Sequence, residues 1–382
     1  MIALGLMSGT SLDGIDAALV RIFPQGQRYA LELLAFRTEP YTTGELDAIR
    51  AILPPTAGST RDVAFANVLL AQAFARAASA VLGDAPVDYV ASHGQTVWHD
   101  GDAHVTLQLA DAFTLREALG STVIYDFRSA DCAAGGHGAP LVPYVDALLL
   151  ASPDEPRIAL NVGGIANFTV LPENAARDAV VAYDTGPGNM LIDAFVAART
   201  NGTTAYDSEG AFAARGRIDE RLLAAMLAHD YFRLPPPKST GRERFGAQFL
   251  AQHRALLDDL SLEDGAATLT ALTAESIARE AKRSLSRVRR VIVSGGGTHN
   301  RALMTMLKER LLPAVVENSS TMNMDPDAKE AMAFAVLGYE TLRERPANIP
   351  RVTGASRPVM LGAIAPVNLR ELLQKVDLEC RA

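Results

Sequence analysis

Residues 6–16 have the sequence LMSGTSLDGID, in which a polar loop with two glycines separates two apolar segments. The segment before the loop, residues 2–7, is a continuous apolar run typical of a buried strand. The segment after it, residues 15–22, alternates with the period of two that a half-buried strand shows. The chain is therefore predicted to begin with a β-hairpin.

A second hairpin is predicted near the middle of the chain, where residues 158–162 and 165–171 are apolar on either side of the turn Gly163-Gly164. Helical patterns follow the two hairpins at residues 62–82 and 266–285. Two hairpins, each followed by long helices, indicate two similar α/β halves.

The 382 residues are enough for two to three domains. We expect one domain to comprise residues 1–130 with a C-terminal return of residues 346–382, and the other to comprise residues 131–345. Within the second, Gly265 is expected to break the chain before a helix, and residues 235–246 to form an exposed, mobile loop. In the C-terminal return, residues 359–364 are expected to form a strand.

Composition narrows the class of protein. Hydrophobic residues make up 48% and charged residues 21% of the chain, which is typical of a globular protein. A net charge of −8 disfavours nucleic acid as the partner and favours a small molecule. Two distant cysteines, Cys132 and Cys380, exclude a disulfide framework, and we expect no membrane span and no signal segment. These features predict a cytoplasmic protein.

Four glycine-containing loops follow predicted strands, and they predict a nucleotide site. Each loop alone is more typical of a structural turn, but backbone N–H groups reach phosphate oxygens best where no Cβ intervenes. No Gly-Lys dipeptide of a phosphate-binding P-loop, no protein-kinase motif and no Gly-x-Ser-x-Gly motif is present. The four loops are residues 9–14, 163–164, 184–189 (DTGPGN) and 295–297.

The order of these loops resembles that of the sugar kinase, Hsp70 and actin superfamily, in which two ribonuclease H-like α/β domains flank a nucleotide cleft. Several segments together look like the anhydro-N-acetylmuramic acid kinase family, and the likeness extends to about residue 366. They are residues 6–16, 92–96 (SHGQT), 126–131 (DFRSAD), 135–143 (GGHGAPLVP), 160–167 (LNVGGIAN) and 184–189.

The resemblance implies a homodimeric phosphotransferase that uses ATP and Mg²⁺ in peptidoglycan recycling. Water would open the 1,6-anhydro bond of anhydro-N-acetylmuramic acid while O6 takes the γ-phosphoryl group, giving N-acetylmuramic acid 6-phosphate and ADP. The implied nucleotide ligands are Gly9, Thr10, Ser11, Leu12, Asp13, Gly14, Ile15, Asp16, Gly163, Gly164, Gly186, Gly188, Gly295, Gly296, Gly297 and Asn300.

Asp13 and Asp16 are candidate metal ligands in the first loop. Aspartate stabilises turns through its own backbone, but two carboxylates three residues apart can also hold Mg²⁺ through waters, and we favour the metal site. Asp184 follows a predicted strand and precedes a glycine loop, with Asn189 expected to cap the next helix. That position favours a catalytic carboxylate over a turn residue, and the resemblance implies that Asp184 is the general base.

Glu330 heads a predicted helix, with Asp325 as its cap and with Phe334 and Leu337 on the same face. Its carboxylate lies either at the rim of the core or in a cleft, and the resemblance implies that it faces the sugar. Around the GGHG segment, an Arg–Asp pair is most often a local salt bridge and a lone His is most often structural. The resemblance instead implies an amino-sugar pocket formed by Gln95, Thr96, Arg128, Asp131 and His137, with Arg128 on the sugar carboxylate.

Two other functions stay open at this point. Gly295-x-Gly297-x-x-Asn300 is close to a dinucleotide fingerprint, with Glu317 placed like its acidic residue, so an NAD(P)-dependent oxidoreductase is the enzymatic alternative. Asn300 occupies a position that the fingerprint reserves for Gly or Ala. The third possibility is a non-catalytic actin- or Hsp70-like nucleotide-binding module, against which Asp184 argues.

Overall fold

The structure is a computed structural model, and it describes residues 1–9, 12–26, 28–54, 56, 58–83, 85–173, 177–284 and 288–381. The expected nucleotide ligands Thr10 and Ser11 lie outside these ranges. The chain forms two compact units, Met1–Leu149 with Asn323–Ala382, and Leu150–Met322.

The first unit begins with the predicted hairpin, and its elements up to the second unit follow in chain order. They are β1 (Ile2–Ser8), β2 (Ile15–Gln25), β3 (Arg28–Glu39), α1 (Thr43–Ile52), α2 (Thr60–Leu82), β4 (Tyr89–Asp100), β5 (Val105–Leu109), α3 (Ala112–Leu119), β6 (Val123–Tyr125), α4 (Ser129–Ala133) and α5 (Val142–Leu150).

The second unit contains the second predicted hairpin and a long central helix. Its strands and α-helices are β7 (Arg157–Val162), β8 (Ile165–Leu171), β9 (Val181–Pro187), α6 (Met190–Arg199), α7 (Glu220–Leu227), α8 (Arg242–Phe245), α9 (Ala247–Gln252), α10 (Arg254–Asp258), α11 (Leu262–Ser284), β10 (Arg290–Ser294), α12 (Arg301–Arg310) and β11 (Val315–Asn318). The chain then returns to the first unit with α13 (Lys329–Leu342), α14 (Pro350–Thr353), β12 (Ala363–Ala365) and α15 (Leu369–Arg381).

The two sheets have the same core topology. In the first unit, β1, β2 and β3 form an antiparallel meander, β4 pairs parallel with β1, and β6 pairs parallel with β4. In the second, β7, β8 and β9 form the meander, and β10 and β11 continue parallel from β7. The five shared strands thus follow the order β3-β2-β1-β4-β6 in the first sheet and β9-β8-β7-β10-β11 in the second, and the predicted duplicated ribonuclease H-like α/β fold is confirmed. The first sheet adds β12, antiparallel to β6, and β5, antiparallel to β4.

Helix α2 covers one face of the first sheet. A capping box of Ser59 and Asp62 starts it, and Leu70, Phe74 and Ala77 are fully buried in the core. Within the described chain, α2 is the one helix long and apolar enough to cross a membrane. Its buried face packs in the core of the first unit, while Phe65 and Val68 of the same helix are exposed.

The unit boundaries differ from the expected limits at residues 130 and 345. Helix α13, expected in the second domain, packs on the sheet of the first: a Cβ at Gly5 of β1 would overlap the carbonyl oxygen of Ala331. Tyr89 of β4 also donates a hydrogen bond of 2.7 Å to the carbonyl oxygen of Ala335. The apolar face of α13 therefore places this helix in the first unit.

Two local expectations are wrong. Gly265 lies inside α11 rather than before it, and glycine is needed there because the ring of Phe195 occupies the space that a side chain would fill. The strand expected at residues 359–364 is limited to Ala363–Ala365. The segment 235–246 is mostly exposed, as expected, but it buries Lys238 and Phe245.

Candidate active site

The first loop of the first unit is held by a buried hydrogen-bond network. Ser8 Oγ lies 2.8 Å from the Gly14 carbonyl oxygen and 2.7 Å from Gln95 Oε1, and Tyr41 donates to Ser8 Oγ at 2.8 Å. Nε2 of Gln95 donates to the carbonyl oxygens of Gly9 (3.3 Å) and Thr96 (3.1 Å). Gln95 is fully buried, and both the oxygen and the nitrogen of its side-chain amide are hydrogen-bonded within the protein. Gln95 therefore holds this loop in place.

Two aspartates of the first loop region lie among other carboxylates. Asp16, in β2, accepts a hydrogen bond of 2.6 Å from Thr38 Oγ1. The pKa of Asp16 is raised to about 6, chiefly by burial and also by the negative charges of Asp13, Glu330 and Asp327, while the hydrogen bond from Thr38 opposes the rise. Carboxylates that repel one another in this way suit a bound cation. Among the residues that the structure describes, no three His, Cys, Asp or Glu side chains are grouped as a complete metal site.

Arg128 lies against the GGHG segment. Its Nε donates to Nε2 of His93 at 2.9 Å, and its Nη1 donates to the Gly138 carbonyl oxygen at 2.8 Å. Since Nδ1 of His93 lies 2.8 Å from the Gly94 carbonyl oxygen, these contacts require a neutral ring with its proton on Nδ1. Burial and the Arg128 charge hold the pKa of His93 well below its usual range. In the described chain, Nη2 of Arg128 has no hydrogen-bond partner.

Asp131 does not pair with Arg128, so the local salt bridge is not formed. Its Oδ2 accepts from the backbone N–H of Gly138 at 2.8 Å. Its Oδ1 accepts from Asn348 Nδ2 at 2.6 Å and from Thr353 Oγ1 at 2.7 Å. Asp131 is fully buried, and it fixes the GGHG segment to the C-terminal return.

The other expected sugar ligands lie near these loops. His137 is exposed, and its backbone N–H donates to the Thr353 carbonyl oxygen at 2.7 Å. Thr96 Oγ1 accepts from Gln108 Nε2 at 3.2 Å. A cavity of about 150 Å³ opens beside His93, and its lining includes Ser92, Gly94, Gln108, Tyr125, Asp126 and Ser129.

Glu330 lies in the first turn of α13, and its carboxyl has no partner among the described residues. No hydrogen bond or ion pair joins it to another described residue, and burial raises its pKa against the opposing charges of Lys329 and Arg128. Phe334 and Leu337 on the same face are buried, as predicted, and the Phe334 ring lies 4.6 Å from that of His93. Asp325 accepts from the N–H groups of Asp327 and Ala328, but it lies in the turn before the helix, whose N-cap is Ala328, so it is not the predicted helix cap. Glu330 therefore stands at the end of an apolar stripe with its hydrogen-bonding capacity free.

In the second unit, the hairpin turn is joined to the loop that follows β9. The Gly164 carbonyl oxygen accepts from the backbone N–H groups of Gly188 (2.8 Å) and Met190 (3.2 Å), and the Gly163 carbonyl oxygen accepts from Asn189 (2.8 Å). Asn189 is at the N-cap of α6, but its side chain makes no capping bond, contrary to expectation. Its Nδ2 donates instead to the Val162 carbonyl oxygen at 3.4 Å.

Three glycines in these loops have room for a Cβ without a clash. The nearest atom to a Cβ would be 3.7 Å away at Gly163, 3.5 Å at Gly164 and 4.0 Å at Gly296. None of the three has a positive φ, so neither backbone conformation nor packing requires glycine. Access of a ligand to the backbone N–H groups remains as a reason for glycine at these positions, and a phosphate group is a ligand of this kind. By contrast, Gly186, Gly188, Gly295 and Gly297 are packed against protein atoms.

Asp184 lies within β9, and one of its two carboxylate oxygens accepts a hydrogen bond. The backbone N–H of Thr240 donates to Oδ2 at 2.8 Å, while Oδ1 has no partner in the described chain. The pKa of Asp184 is raised to about 6, chiefly by burial and also by the Glu243 charge, while the Thr240 N–H opposes the rise. A carboxylate with one fixed oxygen and one free oxygen is oriented to accept a proton.

The segment that holds Asp184 was not assigned a role by sequence reasoning. The backbone N–H of Asp184 donates to the Lys238 carbonyl oxygen at 3.0 Å, and Tyr231 Oη donates to the Asp184 carbonyl oxygen at 2.8 Å. Proline, serine and glycine around Lys238 suggested only a loop, and the burial of its charged group carries no signal in the local sequence.

The family model for anhydro-N-acetylmuramic acid kinase matches residues 1–367. The chain belongs to the anhydro-N-acetylmuramic acid kinase family. A relative of that name from Salinibacter ruber is 44% identical over 383 residues, covering 94% of this chain and 95% of its own. One from Xanthomonas axonopodis pv. citri is 45% identical over 375 residues, covering 95% and 97%.

Solved structures with weaker likeness include the activator of 2-hydroxyisocaproyl-CoA dehydratase from Clostridium difficile with bound ADPNP. It is 12% identical, covers 88% of this chain and 93% of its own, and has a TM-score of 0.41. A ROK family glucokinase from Streptomyces griseus, in complex with glucose and AMPPNP, is 13% identical, covers 88% and 98%, and has a TM-score of 0.36.

Membership of this kinase family leaves the two alternative functions without support. Glu317, the acidic residue of the oxidoreductase hypothesis, accepts from Arg290 Nη1 at 2.7 Å and is engaged within the sheet. Asn300 is the N-cap of α12, with Oδ1 accepting from the Leu303 N–H at 2.9 Å. A capping side chain there explains why the fingerprint residue is absent.

Proposed function

We propose that this protein uses ATP to convert anhydro-N-acetylmuramic acid into N-acetylmuramic acid 6-phosphate, opening the 1,6-anhydro bond with water. The family supports the reaction and its place in peptidoglycan recycling. The observation that carries it is the geometry of Asp184, a carboxylate with a raised pKa, one anchored oxygen and one free oxygen. The cytoplasmic location predicted from composition and the homodimer implied by the resemblance stay predictions.

Asp184 acts as the general base. Its free Oδ1 accepts a proton from the attacking water as the water oxygen bonds to the anomeric carbon. The bond between that carbon and O6 breaks, and O6 takes the electron pair and attacks the γ-phosphorus of ATP, from which ADP leaves. Anchoring of Oδ2 by Thr240 keeps the carboxylate from turning away from the water.

The glycine loops bind the nucleotide. Open backbone at Gly163, Gly164 and Gly296 leaves room for phosphate oxygens, and the N-terminus of α6 adds the favourable end of its dipole. In the first unit, Asp13 and Asp16 would hold Mg²⁺, which neutralises phosphate charge when bound. The raised pKa of Asp16 is consistent with a carboxylate that a cation stabilises.

The sugar contacts Glu330 and Arg128. Glu330 has no partner in the described chain and can accept hydrogen bonds from sugar hydroxyls. Nη2 of Arg128 is free to donate to the lactyl carboxylate, while Nε and Nη1 hold the guanidinium in place. Gln95 and Asp131 support the loops on which this pocket rests, and His137 and Thr96 stay candidate ligands.

Product analysis in H₂¹⁸O tests the proposal. We expect ¹⁸O at the anomeric hydroxyl of the product, phosphate on O6, and one ADP per sugar. Phosphorylated sugar that keeps its anhydro ring would exclude the hydrolytic step, and consumption of N-acetylmuramic acid but not the anhydro sugar would overturn the proposed substrate.

A further inference from the structure

Lys238 and Glu280 form a buried ion pair in the second unit. Nζ of Lys238 lies 2.9 Å from Oε1 of Glu280, and their side chains are 3% and 2% exposed. Lys238 belongs to the segment after the 3₁₀ turn Asp230–Arg233, and Glu280 belongs to the central helix α11. A single charged side chain so deeply buried would be strongly unfavourable without this partner.

Lys238 also takes part in a ring of contacts with Tyr231 and Asp184. Nζ of Lys238 donates to the Tyr231 carbonyl oxygen at 3.2 Å and lies 4.6 Å from the centre of the Tyr231 ring. Tyr231 Oη donates to the carbonyl oxygen of Asp184, whose N–H donates to the carbonyl oxygen of Lys238. Two residues further along, Thr240 donates its N–H to Oδ2 of Asp184.

Glu280 is fixed from more than one side. Arg283 Nη1 lies 3.0 Å from its Oε1, and Tyr183 Oη donates to its Oε2 at 3.3 Å. Tyr183 precedes Asp184 in β9, so the helix and the strand are joined at this carboxylate. Lys238 is therefore anchored to a rigid point of the unit rather than to another loop.

We propose that Lys238 and Glu280 are positioning residues for the general base, because their ion pair fixes the 238–240 backbone that holds Asp184. The inference rests on the proposed function in taking Asp184 as the base. Replacing a buried ion pair by neutral groups of similar size is often neutral or stabilising for a fold. The stability of the fold therefore does not explain why Lys238 and Glu280 are charged, whereas the orientation of Asp184 does.

The charges around Asp184 set the expected pH effect. Glu243 on α8 acts on Asp184 through its charge, and Tyr231 donates to the Asp184 carbonyl oxygen. Arg244 on α8, Lys238, and Glu280 on α11 lie around Tyr231. Neutralising Lys238 and Glu280 together leaves the net charge unchanged. Loss of the Thr240 hydrogen bond removes a contact that lowers the pKa of Asp184, so this pKa rises.

The test is the double variant Lys238→Met with Glu280→Gln, which leaves no unpaired buried charge. We expect kcat to fall about tenfold or more at pH 7, with KM for both substrates within about threefold, and the acidic limb of the kcat–pH profile to move to higher pH. Arg290→Met with Glu155→Gln removes a partly exposed 2.7 Å ion pair three strands away in the same unit, together with the contacts of Arg290 to Glu317 and of Arg157 to Glu155, and serves as the control for the loss of paired charges. We expect its pH profile to match that of the wild type.

A substrate-free measurement separates this proposal from the proposed function. The ¹³C signal of the Asp184 carboxyl carbon, assigned with Asp184→Asn, is titrated in the wild type and the double variant. A higher pKa in the folded double variant supports positioning even where the wild type fails to phosphorylate the anhydro sugar. An unchanged pKa together with an unchanged kcat overturns it, and the single variant Lys238→Arg, which keeps the charge, is expected to retain most of the activity.

Discussion

The backbone N–H of Thr240 donates to Oδ2 of Asp184 at 2.8 Å, although 56 residues separate them in the chain. A backbone donor cannot rotate away as a side chain can, so it fixes the carboxylate plane together with the free oxygen. The same bond opposes the rise in pKa that burial causes. One contact thus orients the Asp184 carboxylate and also lowers its pKa.

Asp184→Asn is expected to reduce kcat by about 10²–10⁴-fold or more, with folding and binding of both substrates retained. The amide has nearly the same size and still accepts from Thr240, but it cannot take a proton from water. Steady-state kinetics with binding calorimetry measures both effects. If the variant keeps more than about a tenth of the wild-type kcat, a barrier change under about 1.4 kcal/mol, the base lies elsewhere.

The pH dependence of the reaction follows from the pKa of Asp184, about 6. A general base works only when deprotonated, so kcat is expected to fall about tenfold per pH unit below pH 6 and to level off above pH 7. A kcat–pH profile from pH 4.5 to 8.5 checks this. A flat profile across pH 5–7 would remove Asp184 from the rate-limiting proton transfer.

The same pKa predicts how stability changes with pH. Asp184 has a pKa of about 6 in the folded state against an ordinary value of 3.8, so the folded state binds the proton more tightly. Its contribution to stability is present below pH 3.8 and is lost as pH rises through 6. Asp184→Asn should therefore stabilise the protein by about 1–2 kcal/mol at pH 7 and by much less at pH 4, as measured by chemical denaturation. Equal effects at both pH values would contradict this origin.

Much of the fold was predictable because its signals are local. Apolar runs on each side of Gly163-Gly164 fixed a hairpin, and the strands found there end where the sequence pattern ends. Gly265 was wrongly predicted to precede the helix because a glycine inside a helix and a glycine that breaks one look alike in sequence. Glycine is present there because the ring of Phe195 leaves no room for a side chain. Phe195 lies about 70 residues earlier, so no local pattern reveals this contact.

For the site, sequence identified candidate groups but not what holds them. Asp184 and Glu330 were selected, whereas Lys238 was assigned to a mobile loop because proline and glycine surround it. Its ion pair with Glu280 joins residues 42 positions apart. Pairings of this range depend on tertiary packing, so composition and periodicity cannot predict them.

Gly164→Ala should weaken nucleotide binding without destabilising the protein. A Cβ there would lie 3.5 Å from Met190 Cε, which is an ordinary contact, but it would occupy space proposed for phosphate oxygens. We expect KM for ATP to rise at least about tenfold, with an unchanged melting temperature. Gly44→Ala in α1, where nothing lies within 4 Å, is the matched control and should leave KM unchanged. A normal KM for ATP in Gly164→Ala would make this turn a purely structural one.

Glu330→Gln should reduce sugar turnover while ATP binding stays near the wild-type value. The unpartnered carboxyl is proposed to bind the sugar, and its amide replaces an acceptor oxygen with a donor nitrogen of the same size. We expect kcat/KM for the anhydro sugar to fall about 10²-fold, which is about 2.7 kcal/mol, with the dissociation constant for ATP within about threefold. Glu344→Gln, exposed just beyond the other end of α13, controls for loss of charge. Because a carboxyl at the rim of the core would act through the fold, a lower melting temperature with normal kinetics would assign Glu330 to structure instead of sugar binding.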